Sequence, residues 1–308
     1  MRSDELTPSL PQARSRLGSD QAPAKSRGFG AACLVAGLIG ISAVTGSAHA
    51  ADLGPPRYAA PVLAAPMVDT WIVTLGANVA AGPRFPGSDR YTLFGYPEIS
   101  YRRANEPERF SAPDDGFSIS LLDTPNFRFG AVGRYQPGRY FGDDRRHLFG
   151  LRDVKWAVEP GAFVEYWPVS FLRARAELRH GINGHDGFVG NIGLDFIAPV
   201  GGFTASIGPR LAFGDDDFTR TYFGVTPYEA FLNGRVTTFR PHGGVTSVGA
   251  LAALTYTFSP QWATTVYGGY NRLVDDAGRS PIPRNLGSRD QYTVGAKVLY
   301  SFSMPALW

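Results

Sequence analysis

The sequence predicts an all-β fold, an antiparallel up-and-down transmembrane β-barrel of about 12 strands with periplasmic N- and C-termini. Three observations predict it. The first 50 residues have the order of an export signal. Beyond them, segments of about 9–12 residues alternate apolar and polar side chains, the length a tilted strand needs to cross a membrane. The links between these segments alternate short and long, as in barrels with short periplasmic turns and longer extracellular loops.

The export signal comes first in the chain of 308 residues. Lys25 and Arg27 precede an apolar run from Phe29 to Val44, and Ala48-His49-Ala50 follows as a small-x-small site. Positive, apolar, cleavable is the order of a secretory signal peptide, with cleavage expected at Ala48 and Ala50. The run is about 16 residues, short for a spanning helix. Residues 1–50 are therefore read as signal peptide. The Ala- and Pro-rich residues 51–69 are read as a flexible periplasmic leader, and residues 70–308 as the barrel. The single cysteine, Cys33, lies in the apolar run. The exported part then has none, which excludes a disulfide framework and a cysteine metal site. Net charge is +3, carried mostly by arginine and without a basic block, so no nucleic-acid partner is expected.

The period becomes two from Trp71. The clearest strand runs from Phe171 to His180, where Leu172, Ala174, Ala176 and Leu178 face one way and Arg173, Arg175, Glu177 and Arg179 the other. Similar alternation marks 188–196, 203–211 and 291–302. Tight turns fall at 123–126, 168–170, 199–202 and 259–261, and longer polar loops near 137–153, 180–187, 214–244 and 271–290. Counting strand directions backward makes the segments near 93–102 and 116–122 both run inward. An outward strand must separate them, and 107–112 is the only candidate, bringing the count to the even number barrels favour. Aromatics near strand ends (Trp71, Tyr101, Tyr135, Tyr166, Trp167, Trp262, Tyr270, Tyr300, Phe302) read as girdles at the two membrane borders.

Inside the barrel the expected lining includes Glu159, Glu165, Arg173, Arg175, Glu177, Arg179, Asp195 and Arg210. Two readings stay open: a charged pore that selects solutes, or a salt-bridged filling of a narrow lumen. The 214–244 loop is too long and too apolar for a plain link. With Tyr222, Phe223, Tyr228 and Phe231 it is expected to fold over or into the mouth, with a short helix starting at Thr226-Pro227. Asp215–Asp217 and Asp275-Asp276 are read as a solvated acidic rim, paired with Arg220, Arg279 and Arg284, rather than a cation site. His180, His185 and Asp186 share one Gly-rich loop, with His185 and Asp186 expected exposed. Ser170 lies at the opposite barrel end and Ser206 in mid-strand, so no triad converges. No cofactor, no metal and no catalysis are expected.

Several stretches together resemble the MltA-interacting protein (MipA/OmpV) family of outer-membrane proteins. They are Gly87-Ser88-Asp89, the 172–179 strand, Gly184-His185-Asp186-Gly187, the stretch from Gly214 to Pro227 ending Tyr-Phe-Gly-Val-Thr-Pro, and Tyr270 to Pro281 with its Leu-Val-Asp-Asp-Ala. The likeness runs from about Trp71 to Phe302 and implies an outer-membrane barrel. It also implies a scaffold role joining a murein lytic transglycosylase to a penicillin-binding protein. A pore for small solutes is the alternative, with an adhesin or lipid-acting enzyme behind it. Outer-membrane lipid and lipopolysaccharide are the expected surroundings. The tail past Phe302 departs from a clean barrel terminus.

Overall fold

The structure, a computed structural model, describes residues 70–305; the expected signal peptide, its expected Ala48–Ala50 site and the expected leader lie outside the described residues. Eleven strands form one sheet: β1 Thr70–Pro83, β2 Tyr91–Arg103, β3 Phe117–Asp123, β4 Phe127–Gln136, β5 Ala157–Val169, β6 Leu172–His180, β7 Phe188–Val200, β8 Phe203–Gly214, β9 Gly244–Thr257, β10 Trp262–Leu273 and β11 Asp290–Pro305. The sheet runs β2-β1-β11-β10-β9-β8-β7-β6-β5-β4-β3. Every pairing is antiparallel, and β1 is joined to β11 with Thr70 opposite Pro305, so both described ends sit at the same end of the barrel. That end also holds the tight turns. The long connections gather at the other, called here the long-loop end.

Side chains sort by the period of two. On β6, Arg173, Arg175, Glu177 and Arg179 are buried inside, and Leu178 stands out on the lipid-facing surface. The outer belt is apolar, with Leu75, Val79, Ile192, Leu254, Val266 and Val298 exposed. Exposed apolar side chains on this scale are costly in water and ordinary against lipid. Rings border the belt: Trp262 on Tyr300 at 4.7 Å at one end, Tyr270 on Tyr292 at 5.1 Å at the other. Trp167 leaves the girdle. It turns inward and its indole donates to Glu165 at 2.8 Å.

The strand count is near the expected twelve, but residues 107–112 form no strand. β2 and β3 both run toward the tight-turn end, and the barrel is nearly closed, with their edges unpaired. The returning chain, residues 104–116, turns at the end of β2 and runs inside from about Phe110 to Gly116. Ala112 packs among Ala80, Leu251, Ala253 and Tyr267, all on inner faces of β1, β9 and β10. A wall strand here would set either Glu108 or Arg109 against lipid, and Arg at mid-bilayer costs about 2–4 kcal/mol. Pro107 and Pro113 also lack the N–H a ladder needs.

The long-loop end carries a cap. α1 (Asp216–Phe223) begins at Asp215, whose carboxylate accepts from the backbone of Asp217 and Phe218. α2 (Pro227–Asn233) begins at the Thr226 cap and ends at Gly234, in the left-handed region. α3 (Asp275–Arg279) follows β10.

Candidate functional site: the lumen and its cap

One half of the lumen wall is a continuous charge network. Arg173, on β6, donates to Glu165 on β5 at 2.9 Å and to Asp195 on β7 at 2.9 Å. The nitrogen that serves Glu165, Nη2, also reaches Asp115 of the inner segment at 2.6 Å. Arg175 donates to Glu177 at 2.9 Å and Glu165 at 3.2 Å, with its guanidinium 4.0 Å from the Phe163 ring centroid. Arg179 bridges Glu177, Glu159 and Asn191. Arg210, on β8, holds Asp195 at 2.7 Å and grips Asp114 of the inner segment through two nitrogens, at 2.7 and 3.1 Å. All eight charged residues singled out in the sequence thus meet in one cluster. Sequence reading missed its other members: Arg128, Arg134, Asp114 and Asp115.

The inner segment crosses the lumen at this level. Ala112 touches the β1, β9 and β10 side, while two and three residues later Asp114 and Asp115 reach β8 and β6. The Gly116 N–H donates to Glu177 at 3.3 Å, and Phe110 lies under the Arg173 guanidinium at 5.6 Å. Near the tight-turn end, Arg109 pairs with Asp123 at 2.6 Å. The opposite wall is mostly neutral: Asn78 bonds Tyr96 and Tyr267, and Thr255 meets Thr265. Lys297 with Glu98, at 3.0 Å, is its ion pair.

The cap closes over the network through His185, which is buried rather than exposed; Asp186 beside it is exposed. The Gly187 N–H donates to His185 Nδ1 at 3.3 Å, which leaves Nε2 to donate to Glu159 at 3.1 Å. Phe218 and Tyr222 of α1 flank the ring edge-on. The ring fits because Gly181 lacks a side chain: a Cβ there would lie 2.1 Å from the imidazole. Of the mouth aromatics, Tyr222 and Phe223 are buried, whereas Tyr228 and Phe231 are 70% and 82% exposed.

Polar groups tie the loops together. Arg139, in the 137–156 loop, donates to the Tyr222 carbonyl at 2.7 Å, and burial lowers its pKa to about 10. Burial pushes the Glu229 carboxyl up, but it stays below the usual range because the Thr226 and Arg152 backbone N–H groups donate to it. Asp144 behaves alike: burial raises it, and hydrogen bonds from His147 and Arg90 outweigh that. Asp216 and Asp217 pair with Arg220, and Asp275 and Asp276 with Arg279; Arg284 takes no part. Asp89, Asp144 and His147 come close enough to suit a cation, yet Asp144 is already held by Arg90 at 2.6 Å and His147 at 2.7 Å.

An antiparallel sheet wrapped round a polar lumen, with an apolar belt and aromatic borders, defines an outer-membrane β-barrel protein. Within that class the chain belongs to the MltA-interacting protein MipA family, whose model matches residues 75–302. No curated protein matches the chain. Among solved structures it is similar to the KdgM porin, at 10% identity and TM-score 0.34, over 75% of this chain and 99% of that one. An outer membrane channel from Pseudomonas putida F1 aligns at 11% identity and TM-score 0.41, over 77% and 97%. The outer membrane channel DcaP of Acinetobacter baumannii aligns at 11% and 0.32, over 76% and 96%.

Proposed function

We propose that the protein is a structural barrel that anchors murein-remodelling enzymes to the outer membrane, neither a free pore nor an enzyme. The observation that carries this is the inner segment, which crosses the lumen between Ala112 and Asp115 and is pinned by Arg173 and Arg210. Mixed charges that neutralise one another fill space and give no one-sign field for selecting ions. Taking the tight-turn end as periplasmic, the surface offered to partners includes the turns at Thr124–Asn126, Pro168–Ser170 and Ser259–Gln261, beside the Gly201-Gly202 turn. The family's name supplies the first partner, a murein lytic transglycosylase, and the resemblance adds a penicillin-binding protein. Catalysis has no support: the partners of His185 are Glu159 and Gly187, and Ser170 lies at the far end of the barrel.

A permeability role is the second reading. It draws on the hydroxyl-rich wall opposite the arginines, with Thr74 on Ser301 at 2.7 Å and Thr255 on Thr265 at 2.8 Å. Two measurements on the refolded chain separate the readings. The anchor predicts no steady current in planar bilayers and retention of the transglycosylase, lost when the three turns are replaced together. A steady open-channel current without retention establishes the pore instead.

A further inference from the structure

Six acidic groups of the cap are engaged by local cations: Asp144 by Arg90 and His147, Glu229 by Arg152, Asp216 and Asp217 by Arg220, Asp275 and Asp276 by Arg279; Asp143 and Asp153 accept from backbone N–H groups, and Asp89 and Asp186 are exposed. Arg145, Arg146, Arg235 and Arg284 are exposed, as are Arg240 and Arg289, and among the described residues none of the six enters an ion pair. The first four come from three loops that are stitched into one face. The Arg235 guanidinium reaches the Arg146 carbonyl at 3.5 Å, and the Asn285 amide donates to the Arg235 carbonyl at 3.0 Å. Asn233 donates to the carbonyls of His147 and Phe149, at 2.9 and 2.6 Å.

The face is built on a packed base. Leu148, Val236, Ile282 and Leu286 are buried together beneath it. Arg146 stands two residues before Leu148, Arg235 one before Val236, and Arg284 between Ile282 and Leu286. Burial of these anchors fixes the backbone, so the arginines are presented outward before any ligand arrives, and the ordering cost left on binding is that of their side chains. Gathering like charges without counter-ions raises the local potential, which a polyanion would relieve. Guanidinium matches phosphate oxygens with paired donors. Beside the arginines, Phe149 and Phe231 expose broad apolar faces, suited to the carbon faces of sugar rings.

We propose that this face binds the phosphorylated sugars of lipopolysaccharide. The long-loop end, outermost by the short-turn rule, stands in the layer where those sugar phosphates lie. The proposal concerns the opposite end from the murein anchor and stands without it.

The test is a titration of the refolded full chain, in mixed micelles, with lipopolysaccharide, with the same lipopolysaccharide chemically dephosphorylated, and with heparin. The variant R145Q/R146Q/R235Q/R284Q is compared with R220Q/R279Q, which removes as much positive charge per site from paired arginines. All six positions are exposed or half-exposed on the cap, and the barrel's resistance to unfolding in detergent on gels checks that each variant folds. The expected result is a roughly tenfold or greater loss of affinity for the quadruple variant, and a similar loss on dephosphorylation. The double variant should stay within about twofold, with wild-type binding weakening as salt rises. The proposal is overturned by unchanged binding in the quadruple variant, an equal loss in the double variant, equal affinity for dephosphorylated lipopolysaccharide, or a preference for heparin.

Discussion

Arg173→Ala tests whether the inner segment is held by charge. Arg173 is 1% exposed and joins three carboxylates from three places in the chain: Asp115 at 2.6 Å, Glu165 at 2.9 Å and Asp195 at 2.9 Å. Truncation falls unevenly on them. Glu165 keeps Arg175 at 3.2 Å and Arg128 at 3.4 Å, and Asp195 keeps Arg210 at 2.7 Å. Asp115 keeps one cation, Arg175 at 3.6 Å, besides the Ala112 N–H and the Ser111 hydroxyl of its own segment, which do not tie it to the wall. Removing one partner of a buried ion pair costs about 3–5 kcal/mol. The partners retained by Glu165 and Asp195 place this change at the lower end, about 3 kcal/mol, concentrated at Asp115. Urea unfolding of the refolded protein in micelles, followed by tryptophan fluorescence, measures the loss. Trypsin cleavage after Arg109 reports release of the segment. Because the two residues act on one interaction, adding Asp115→Ala should cost less than its separate effect, with a coupling of about 1–3 kcal/mol. A loss below about 1 kcal/mol, or strictly additive effects, would refute the picture of a charge-pinned segment.

Four further outcomes follow from the cap. Gly181→Ala brings a Cβ to 2.1 Å from the His185 ring, so the ring must leave Glu159; a loss of about 1–3 kcal/mol is expected. Gly142→Ala, with nothing within 4 Å, should be near neutral in the same unfolding assay. Glu229→Gln weakens the capping box, in which Glu229 accepts from the Thr226 backbone at 2.7 Å and from the Arg152 backbone at 2.9 Å. It should cost about 1 kcal/mol and speed amide exchange across residues 227–233 while leaving β6 protected. Acid should loosen the 137–156 loop. The Asp144 carboxyl is depressed in the folded state, so its contribution is present above the unfolded value of about 3.9 and is lost as pH falls through the lower folded value. Asp144→Asn should remove that part of the pH dependence of loop proteolysis, and an unchanged profile would count against it.

Much of this architecture is legible in the amino-acid order. On β6 the alternation of leucine and alanine with charged groups fixes which face turns inward, because a row of arginines against lipid is prohibitive. Thr226-Pro227 marks the start of α2, since a threonine cap followed by proline leaves a helix first turn satisfied. Trp167 is misplaced in the girdle, although it shares parity with Glu159 and Glu165, and continuing that parity through the strand end sends its indole inward. His185 was not legible. A histidine in a Gly-rich loop looks solvent-exposed until α1 is known to lie over it, and the glycine that makes room, Gly181, reads locally as a turn residue. The arginine face of the cap is equally hidden, because its members come from three loops that meet only through their buried anchors.

The 104–116 segment shows why counting strands by direction reaches the right number of passages and the wrong place for one of them. The chain must return from the end of β2 to the start of β3, and nothing in the direction count says whether the return lies in the wall or within it. Composition does. A wall strand shows one face to the lumen and the other to lipid, so its polar groups must fall on alternate positions. Here Glu108 and Arg109 are adjacent, as are Asp114 and Asp115, and prolines flank the run. A segment surrounded by lumen can use every side. Ala112 meets the alanine and tyrosine wall of β1, β9 and β10, Asp114 meets Arg210, and Asp115 meets Arg173. The two wall halves are themselves dissimilar, one arginine-rich and one neutral, and a closed ring of strands would leave the arginines short of acidic partners. The inner segment supplies two of them. The position of the segment and the arginine count of the wall are therefore one feature, and removing the acidic groups from the first should destabilise the second even where no β6 residue is changed.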